Sequence, residues 1–540
     1  MWRIDDPQGN EAAKIKYEIV PYTRGRGLDL GCGPSKAYAH FIGVDNLTDT
    51  RLFGTRMQPD IVTPDCSDLS IFANESMDFV FSSHLLEHIA DYKTAMAEWM
   101  RVIKIGGHLV MYLPDEDEYP KVGENGANPD HKWNVNYDRV IAAMPDGFNL
   151  IRFEKRNGGN EYSLFFVFEK RADGRFEDWR KPKRTKTACV CRFGGFGDMI
   201  QTSALLPSLK RQGYHVTVMT TPRGQDIIRH DPHVDGWLIQ DENQVPNPEL
   251  GEYWKAQAKH YDKFINLSES VEGTFLAMPG RISHQWPNEV RHKRLNKNYM
   301  EFMFELAGLP LNPEPKFYPT EEEVADAKDF IYECSIHAGI EQPYMVMWAL
   351  AGSSVHKMYP HQDNVIARIL MDMPNSIVVM VGEMACKILE QGWENDPRVI
   401  RVSGDLTIRQ TLALAQRMNC VVGPETGVLN SVSYEPDVSK VIMLSHSSHE
   451  NLTRDWPNTT AISAPPDDSV PICGNRPCHR LHYGRDWCPE DHETGASMCA
   501  ASISPYTVFN AIEAHYDPYR TQGLIQTGSG RSGRACAVVR

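Results

Sequence analysis

Short apolar runs alternate with helical periods along almost the whole chain. Twice that alternation passes through a glycine-rich turn: GLDLGCGPSK at residues 27–36 and FGGFGDMIQTSALLPSLK at 193–210. Strands separated by helices define a parallel sheet with crossovers, and glycine at a strand end lets the backbone come close to a ligand where a side chain would collide. A chain of 540 residues exceeds the ~250–300 at which one core stops growing, so it divides into several domains.

The first series runs from Arg26 to about Lys170 through GLDLG, FIGVD, MDFVFS, HLVMYLP and YSLFFVFEK, with a helical period in DYKTAMAEWMRVIK. Residues 171–186 are charged and nearly free of aliphatic side chains, which makes them the expected linker. A second series (TACVCRFGG, HVTVMTT, GWLIQ, KFINLSE) leads into the helix-like NYMEFMFELAGL and a proline-rich hinge. A third follows with YMVMWALAG, SIVVMVGE, VIRVSG, CVVGPETG and KVIMLSH. The expectation is an α/β protein with a domain at 1–170, two facing Rossmann-like halves at 187–318 and 319–516, and a Gly/Ser-rich flexible tail at 517–540.

Apolar residues make up 41% and charged residues 24%, an ordinary globular composition, and the formal charge of −15 argues against nucleic acid as a partner. The cationic run at 179–186 falls in the linker. No apolar run approaches the ~18 residues of a membrane span, and MWRIDDPQGNEAAK lacks the order of a secretion signal. Eight of the twelve cysteines are scattered, with Cys189 and Cys191 on an expected strand. Together these features predict a cytoplasmic protein.

At the first turn, Gly31 and Gly33 follow a strand and Asp45 ends the next one, where a carboxylate could accept both hydroxyls of a ribose. A dinucleotide site would want a third glycine where Lys36 stands, leading into a full helix, and neither is present. Residues 15–170 resemble the class I S-adenosylmethionine (SAM) dependent methyltransferases. Asp29, Gly31, Cys32 and Gly33 match that family's first motif and Asp45 its ribose-binding acid. PDCSDL implies Asp65 and Cys66 against the adenine, and SMDFVFSSHLLEHI with EWMRVIKIGGHLVMYLPD matches its fourth strand and post-helix Gly-Gly turn. His84 and His88, at i and i+4 on an expected helix, could be metal ligands by spacing, or cap or pack; Asp29 could simply brace the turn. His131, in NPDHKWNVNYD, is the candidate general base. The sulfonium supplies its own leaving group, so alignment and at most one base are asked of the protein, and the acceptor cannot be read from catalytic residues.

The second turn has no Walker lysine after its glycines, which argues against an ATP-hydrolysing loop. It places Asp198 at a helix start, suited to take a proton from an incoming hydroxyl, although an N-cap role is the alternative. Residues 187–516 resemble the heptosyltransferase-like family 9 glycosyltransferases of GT-B fold. The Gly-Asp signature implies Asp198 as catalytic base. LAGSSVHKMYP resembles the phosphate loop, with Ser353 and Ser354 as hydroxyl donors and Lys357 as the cation facing a diphosphate. VVGPETGVLNSVSYE places Glu425, Thr426 and Gly427 beside the donor. Glu425 stands for the family's usual Asp and Asn430 for its His, so the resemblance implies a nucleotide-diphosphate sugar without specifying heptose. A lysine, two hydroxyls and backbone amides can stabilise a leaving diphosphate without a metal, and no D-x-D pair ends a strand. His449 and Arg454 are further candidates near donor or acceptor.

Cys473, Cys478, Cys488 and Cys499 form a cluster whose spacing lacks paired C-x2-C knuckles. Zinc, disulfides and free thiols all remain open, and no metal is assigned. The expected function is bifunctional modification of a glycan or small-molecule acceptor: inverting sugar transfer plus SAM-dependent methyl transfer. A lipid-linked acceptor would bring the protein to a membrane periphery. The rival expectation is that one half is catalytically dead and serves as a binding or scaffolding module.

Overall fold

The computed structural model describes residues 11–33, 36–46, 59–145, 147–172, 186–241, 244–268, 270–278, 280–354, 356–467, 473, 477–480 and 488–517. Most of the expected linker and nearly all of the expected tail lie outside the described residues. The chain forms two compact units, one of residues 1–185 with 238–261 and one of 186–237 with 262–540.

The first unit holds a seven-stranded sheet built from β1 (Gly27–Leu30), β2 (Ile42–Asp45), β3 (Ile61–Val62), β4 (Met77–Ser83), β5 (Ile103–Pro114), β6 (Phe148–Arg156) and β7 (Ser163–Lys170), in the order β3-β2-β1-β4-β5-β7-β6. β1 runs parallel to β2 and β4, matching Leu30 with Val44 and with Ser82. β7 is antiparallel to both β5 and β6. The sequence pattern predicts only parallel strands here. The connection from β6 to β7 is far too short for a crossover, which takes a dozen or more residues, so the chain must turn back on itself. The helix Tyr92–Arg101 buries Ala95, Met96, Trp99 and Met100 at helical spacing against this sheet, and the Trp99 indole donates to the Cys66 carbonyl at 2.9 Å. Residues 238–261 follow the second glycine turn in sequence but belong to the first unit. Gln244 donates to the Val20 carbonyl at 2.8 Å, Gln257 to that of Tyr17 at 2.9 Å, and Arg24 pairs with Asp241 at 2.9 Å.

The second unit carries β8 (Lys186–Cys191), β9 (Tyr214–Thr220), β11 (Lys263–Asn266) and the first two residues of β10 (Gly236–Ile239), in a sheet of order β10-β9-β8-β11. β12 (Tyr344–Ala349), β13 (Ser376–Val381), β14 (Val399–Arg401), β15 (Cys420–Pro424), β16 (Ser439–Leu444) and β17 (Thr459–Ser463) form a parallel one of order β14-β13-β12-β15-β16-β17. Every residue of β12, β13, β15 and β16 is buried, which explains their unbroken apolar runs: helices cover both faces of a parallel sheet. The two halves meet where helix Phe196–Ser203 crosses helix Gly427–Ser431. A Cβ on Gly427 would stand 2.9 Å from the Cβ of Phe196, so glycine is what permits the contact. Gln201 reaches across this seam to hydrogen-bond Asn430, whose amide also donates to the Thr426 carbonyl at 3.0 Å.

Candidate functional site

In the first unit the expected site residues gather at the carboxyl ends of β1 and β2. Gly31 has φ +72 and Gly33 φ +58, left-handed conformations that favour glycine. A Cβ on Gly31 would lie 2.9 Å from Leu85, whereas one on Gly33 would meet nothing within 4 Å. The Gly33 amide donates to Asp45 at 2.8 Å and the Ala37 amide to Asp29 at 2.6 Å, so both acids hold the turn. Burial raises the Asp29 carboxyl to about 7 and the Cys66 thiol to about 11. Cys32 lies beside this turn, its thiol donating to the Gly33 carbonyl at 3.4 Å and raised by burial. Asp65 is exposed and accepts from the Ser67 amide at 2.8 Å. Among the described residues the space beyond Gly33 is open, beside Asp45.

His84 and His88 do not share a helix. His84 follows β4 at φ +49, and its ring meets the Ser163 hydroxyl at 3.2 Å, while His88 ends the short turn Leu86–His88. His131 packs edge-on against His88, ring centres 4.8 Å apart, and beside the fully buried Glu87. Burial lowers the affinity of His131 for a proton, and neighbouring His88 lowers it further.

Burial holds His84 neutral, its pKa pushed down to about 3. In the unfolded chain the same ring takes up a proton near 6.5, so its contribution to stability is complete above that pH and drains away as pH falls toward 3. In urea titrations His84→Asn therefore flattens the acid limb relative to wild type, where the slope from this group reaches about 1.4 kcal/mol per pH unit. Parallel curves for the two proteins between pH 6.5 and 4 would contradict this account.

In the second unit Asp198 is the third residue of helix Phe196–Ser203 and is both a cap and a partly open acid. Its Oδ2 accepts from the Gly195 amide at 2.8 Å, its Oδ1 from Arg192 at 2.7 Å and from the Tyr299 hydroxyl at 3.4 Å, and its side chain is 34% exposed. Burial alone would raise its proton affinity, but the Arg192 guanidinium outweighs that and holds the carboxyl below the ordinary aspartate range. Arg192 is buried and also grips Glu272 at 2.7 Å. Sequence reasoning missed Arg192, Glu272 and Tyr299. A charged residue directly after the apolar strand ACVC was the only signal.

The loop after β12 carries Ser353, Ser354 and Lys357. Ser353 is exposed, whereas the Ser354 hydroxyl is buried without a hydrogen-bond partner. Lys357 acts electrostatically on both Asp198 and Glu425, which brings the loop and the second glycine turn together. Glu425 follows β15 directly. Its carboxylate is buried and taken up by the turn after β16: the Ser445 amide donates at 2.7 Å, the Ser447 amide at 3.2 Å, and the His446 ring lies at 2.7 Å. Burial disfavours that charge, but His446 and these donors hold the carboxyl far below its usual range. Thr426 caps helix Gly427–Ser431 through the Leu429 amide at 3.4 Å, and Gly427 lies in the seam between the halves. His449 bonds Thr453 at 2.9 Å within its own turn, while Arg454 pairs with Glu450 at 2.7 Å and Glu301 at 2.8 Å. The four clustered cysteines do converge, lining one cavity with His356 and His446. No disulfide joins Cys478, Cys488 or Cys499 among the described residues, and burial beside neighbouring thiols pushes Cys478 up to about 12.

Residues 28–111 match the family model of a methyltransferase domain. The chain is similar in structure to a glycosyltransferase family 9 protein from Veillonella parvula (14% identity, 61% of this chain and 97% of that one, TM-score 0.43) and to ADP-heptose LPS heptosyltransferase II from E. coli (15%, 61% and 98%, 0.42). It is also similar to a SAM-dependent methyltransferase from Archaeoglobus fulgidus (17%, 29% and 92%, 0.23). An uncharacterized 37.1 kDa protein in transposon Tn4556 of Streptomyces fradiae is 32% identical over 122 residues, 19% of this chain. The chain spans 35% of that relative's length. Among the described residues no helix is long and apolar enough to cross a membrane.

Proposed function

We propose that the chain is a cytoplasmic bifunctional enzyme that transfers a sugar from a nucleotide-diphosphate donor to an acceptor hydroxyl with inversion, and a methyl group from SAM to the same glycan or its neighbour. The observation that carries the sugar-transfer reading is the electrostatic action of Lys357 on Asp198 across the two halves of the second unit, with the buried Ser354 hydroxyl on the same loop as Lys357. In the step, Asp198 accepts the acceptor's hydroxyl proton. The freed oxygen bonds to the anomeric carbon from the face opposite the leaving group, and the bond from that carbon to the diphosphate oxygen breaks. Lys357, Ser353 and Ser354 then meet the charge that develops on the diphosphate, a role other enzymes give to a metal. Glu425 supports this site indirectly by fixing the Ser445–Ser447 turn, with Thr426 and Gly427 setting the seam.

In the first unit SAM supplies an electrophilic methyl group. The chain's own residues align it: Gly31 and Gly33 admit it, Asp45 faces the ribose, Asp65 and Cys66 flank the adenine, and Asp29 fixes the turn. His131 stands as base for the acceptor proton. A lipid-linked acceptor would place the protein at a membrane periphery. A second reading, in which the glycosyl half only binds its ligands, draws on the grip of Arg192 on Asp198, which makes that carboxylate a weak base.

Incubating the purified chain with SAM, with a panel of nucleotide sugars and with candidate glycans, followed by mass spectrometry, decides between them. The proposal expects adenosylhomocysteine, nucleoside diphosphate and a product heavier by one sugar and one methyl. Donor binding without sugar transfer to any acceptor would favour the second reading, and failure to bind either donor would end both.

A further inference from the structure

The carboxylate of Glu87 is enclosed entirely by protein, and neither of its oxygens has a hydrogen-bond partner. Its Oε1 lies 3.9 Å from Nε2 of His88 and 3.9 Å from Nε2 of His131. One donor atom from each of the three residues falls within 4.8 Å of the others. Such separations are too long for hydrogen bonds, so the three groups surround a point without bonding to one another. Leaving a buried carboxylate unpaired is expensive, and an arrangement that keeps it calls for a partner.

The chain holds this geometry in place. Glu87 and His88 sit on the turn Leu86–His88 directly after β4, and the Lys132 amide donates to the Glu87 carbonyl at 2.8 Å, tying the His131 loop to that turn. The His131 amide closes its own loop onto the Asn128 carbonyl at 3.1 Å. The two imidazole rings stand at 89° to each other, so both present ring nitrogens to the same carboxylate rather than stacking. Two bonds of roughly 2.1 Å to a divalent ion span at most about 4.2 Å, which covers both 3.9 Å separations from the Glu87 Oε1. Two histidines and one carboxylate on one side of an ion is a ligand set that transition metals accept while leaving coordination positions open. His88 is 31% exposed at its side chain and His131 9%, so the open positions face the His88 side.

We propose that Glu87, His88 and His131 bind one divalent transition-metal ion, with remaining positions available to water or to an oxygen of the methyl acceptor. The site lies next to the first glycine turn, since Leu85, two residues before Glu87, is the side chain that a Cβ on Gly31 would strike. A hydroxyl bound there is acidified by the ion and releases its proton to solvent, which transfers to the ion the work assigned above to His131.

The test uses the full chain, stripped with chelator and loaded with cobalt(II). Crystals of the wild type soaked in the metal give an anomalous difference peak between the three side chains. Calorimetric titration of Glu87→Gln and of His88→Ala shows this site's affinity lowered at least ~10-fold, while Cys488→Ser, in the separate cysteine cluster, leaves it unchanged. An empty difference map at those residues under saturating cobalt overturns the proposal, as does unchanged cobalt affinity in Glu87→Gln. The wild-type map stands even where a variant fails to fold. Methyl transfer that persists at full rate in metal-free protein overturns the ion's part in acidifying the acceptor and returns that work to His131, leaving the reading of the first unit intact.

Discussion

Asp198→Asn is expected to lower kcat for sugar transfer by about 10²–10⁴-fold, the usual contribution of a positioned general base, while the dissociation constant for the nucleotide sugar changes little. The substitution is nearly isosteric. An asparagine oxygen can still accept from the Gly195 amide, so the helix cap survives, and buried Arg192 keeps Glu272 at 2.7 Å. What disappears is the capacity to hold the acceptor's proton. Because Arg192 keeps the carboxyl below the ordinary aspartate range, Asp198 is already ionised throughout the neutral region, and the wild-type rate should be flat there on this group's account. The comparison is made by following nucleoside diphosphate release with acceptor present, alongside calorimetric donor titration and a thermal melt. Unimpaired transfer in the variant would remove Asp198 from the mechanism.

The two glycines of the first turn should separate fold from ligand. At Gly31 a methyl group meets two obstacles, a left-handed φ of +72 and Leu85 at 2.9 Å, so Gly31→Ala should cost roughly 2–5 kcal/mol of stability from strain and overpacking together. At Gly33 only the strain applies, about 1–2 kcal/mol, because nothing among the described residues lies within 4 Å of the added carbon. That carbon instead fills the space assigned to the cofactor, so Gly33→Ala should weaken SAM binding at least ~10-fold in a protein that still folds. Urea unfolding and SAM calorimetry on both variants read the two effects. Equal loss of stability in both, or full SAM affinity in Gly33→Ala, would mean that the ligand does not approach the turn there.

The methyltransferase match at residues 28–111 agrees with the resemblance carried by residues 15–170, and the parallel pairing of β12 to β16 agrees with the alternating apolar runs. Lys357 acts electrostatically on Asp198 even though no spacing links residue 198 to residue 357. Several features were out of reach. The reversal of β7 depends on the tightness of one connection rather than on the apolar pattern of the strand. Residues 238–261 join the first unit through Gln244, Gln257 and Asp241, polar side chains that carry no periodic signal. His84 and His88 look like a pair by helical spacing, but a left-handed residue at the end of β4 turns them apart, and His88 finds His131 instead.

Sequence by itself determined the strands that are buried on both faces and where the backbone can kink, because such burial demands unbroken apolar runs and left-handed turns favour glycine, both local properties; the partly exposed β3, β6 and β17 carry no such run and went unread. The tertiary structure alone decided which charged groups meet. Arg192 grips Asp198, Glu425 is absorbed by the turn after β16, and Glu87 faces two histidines, because such pairings depend on how distant strands bring their ends together and on how much water is excluded there.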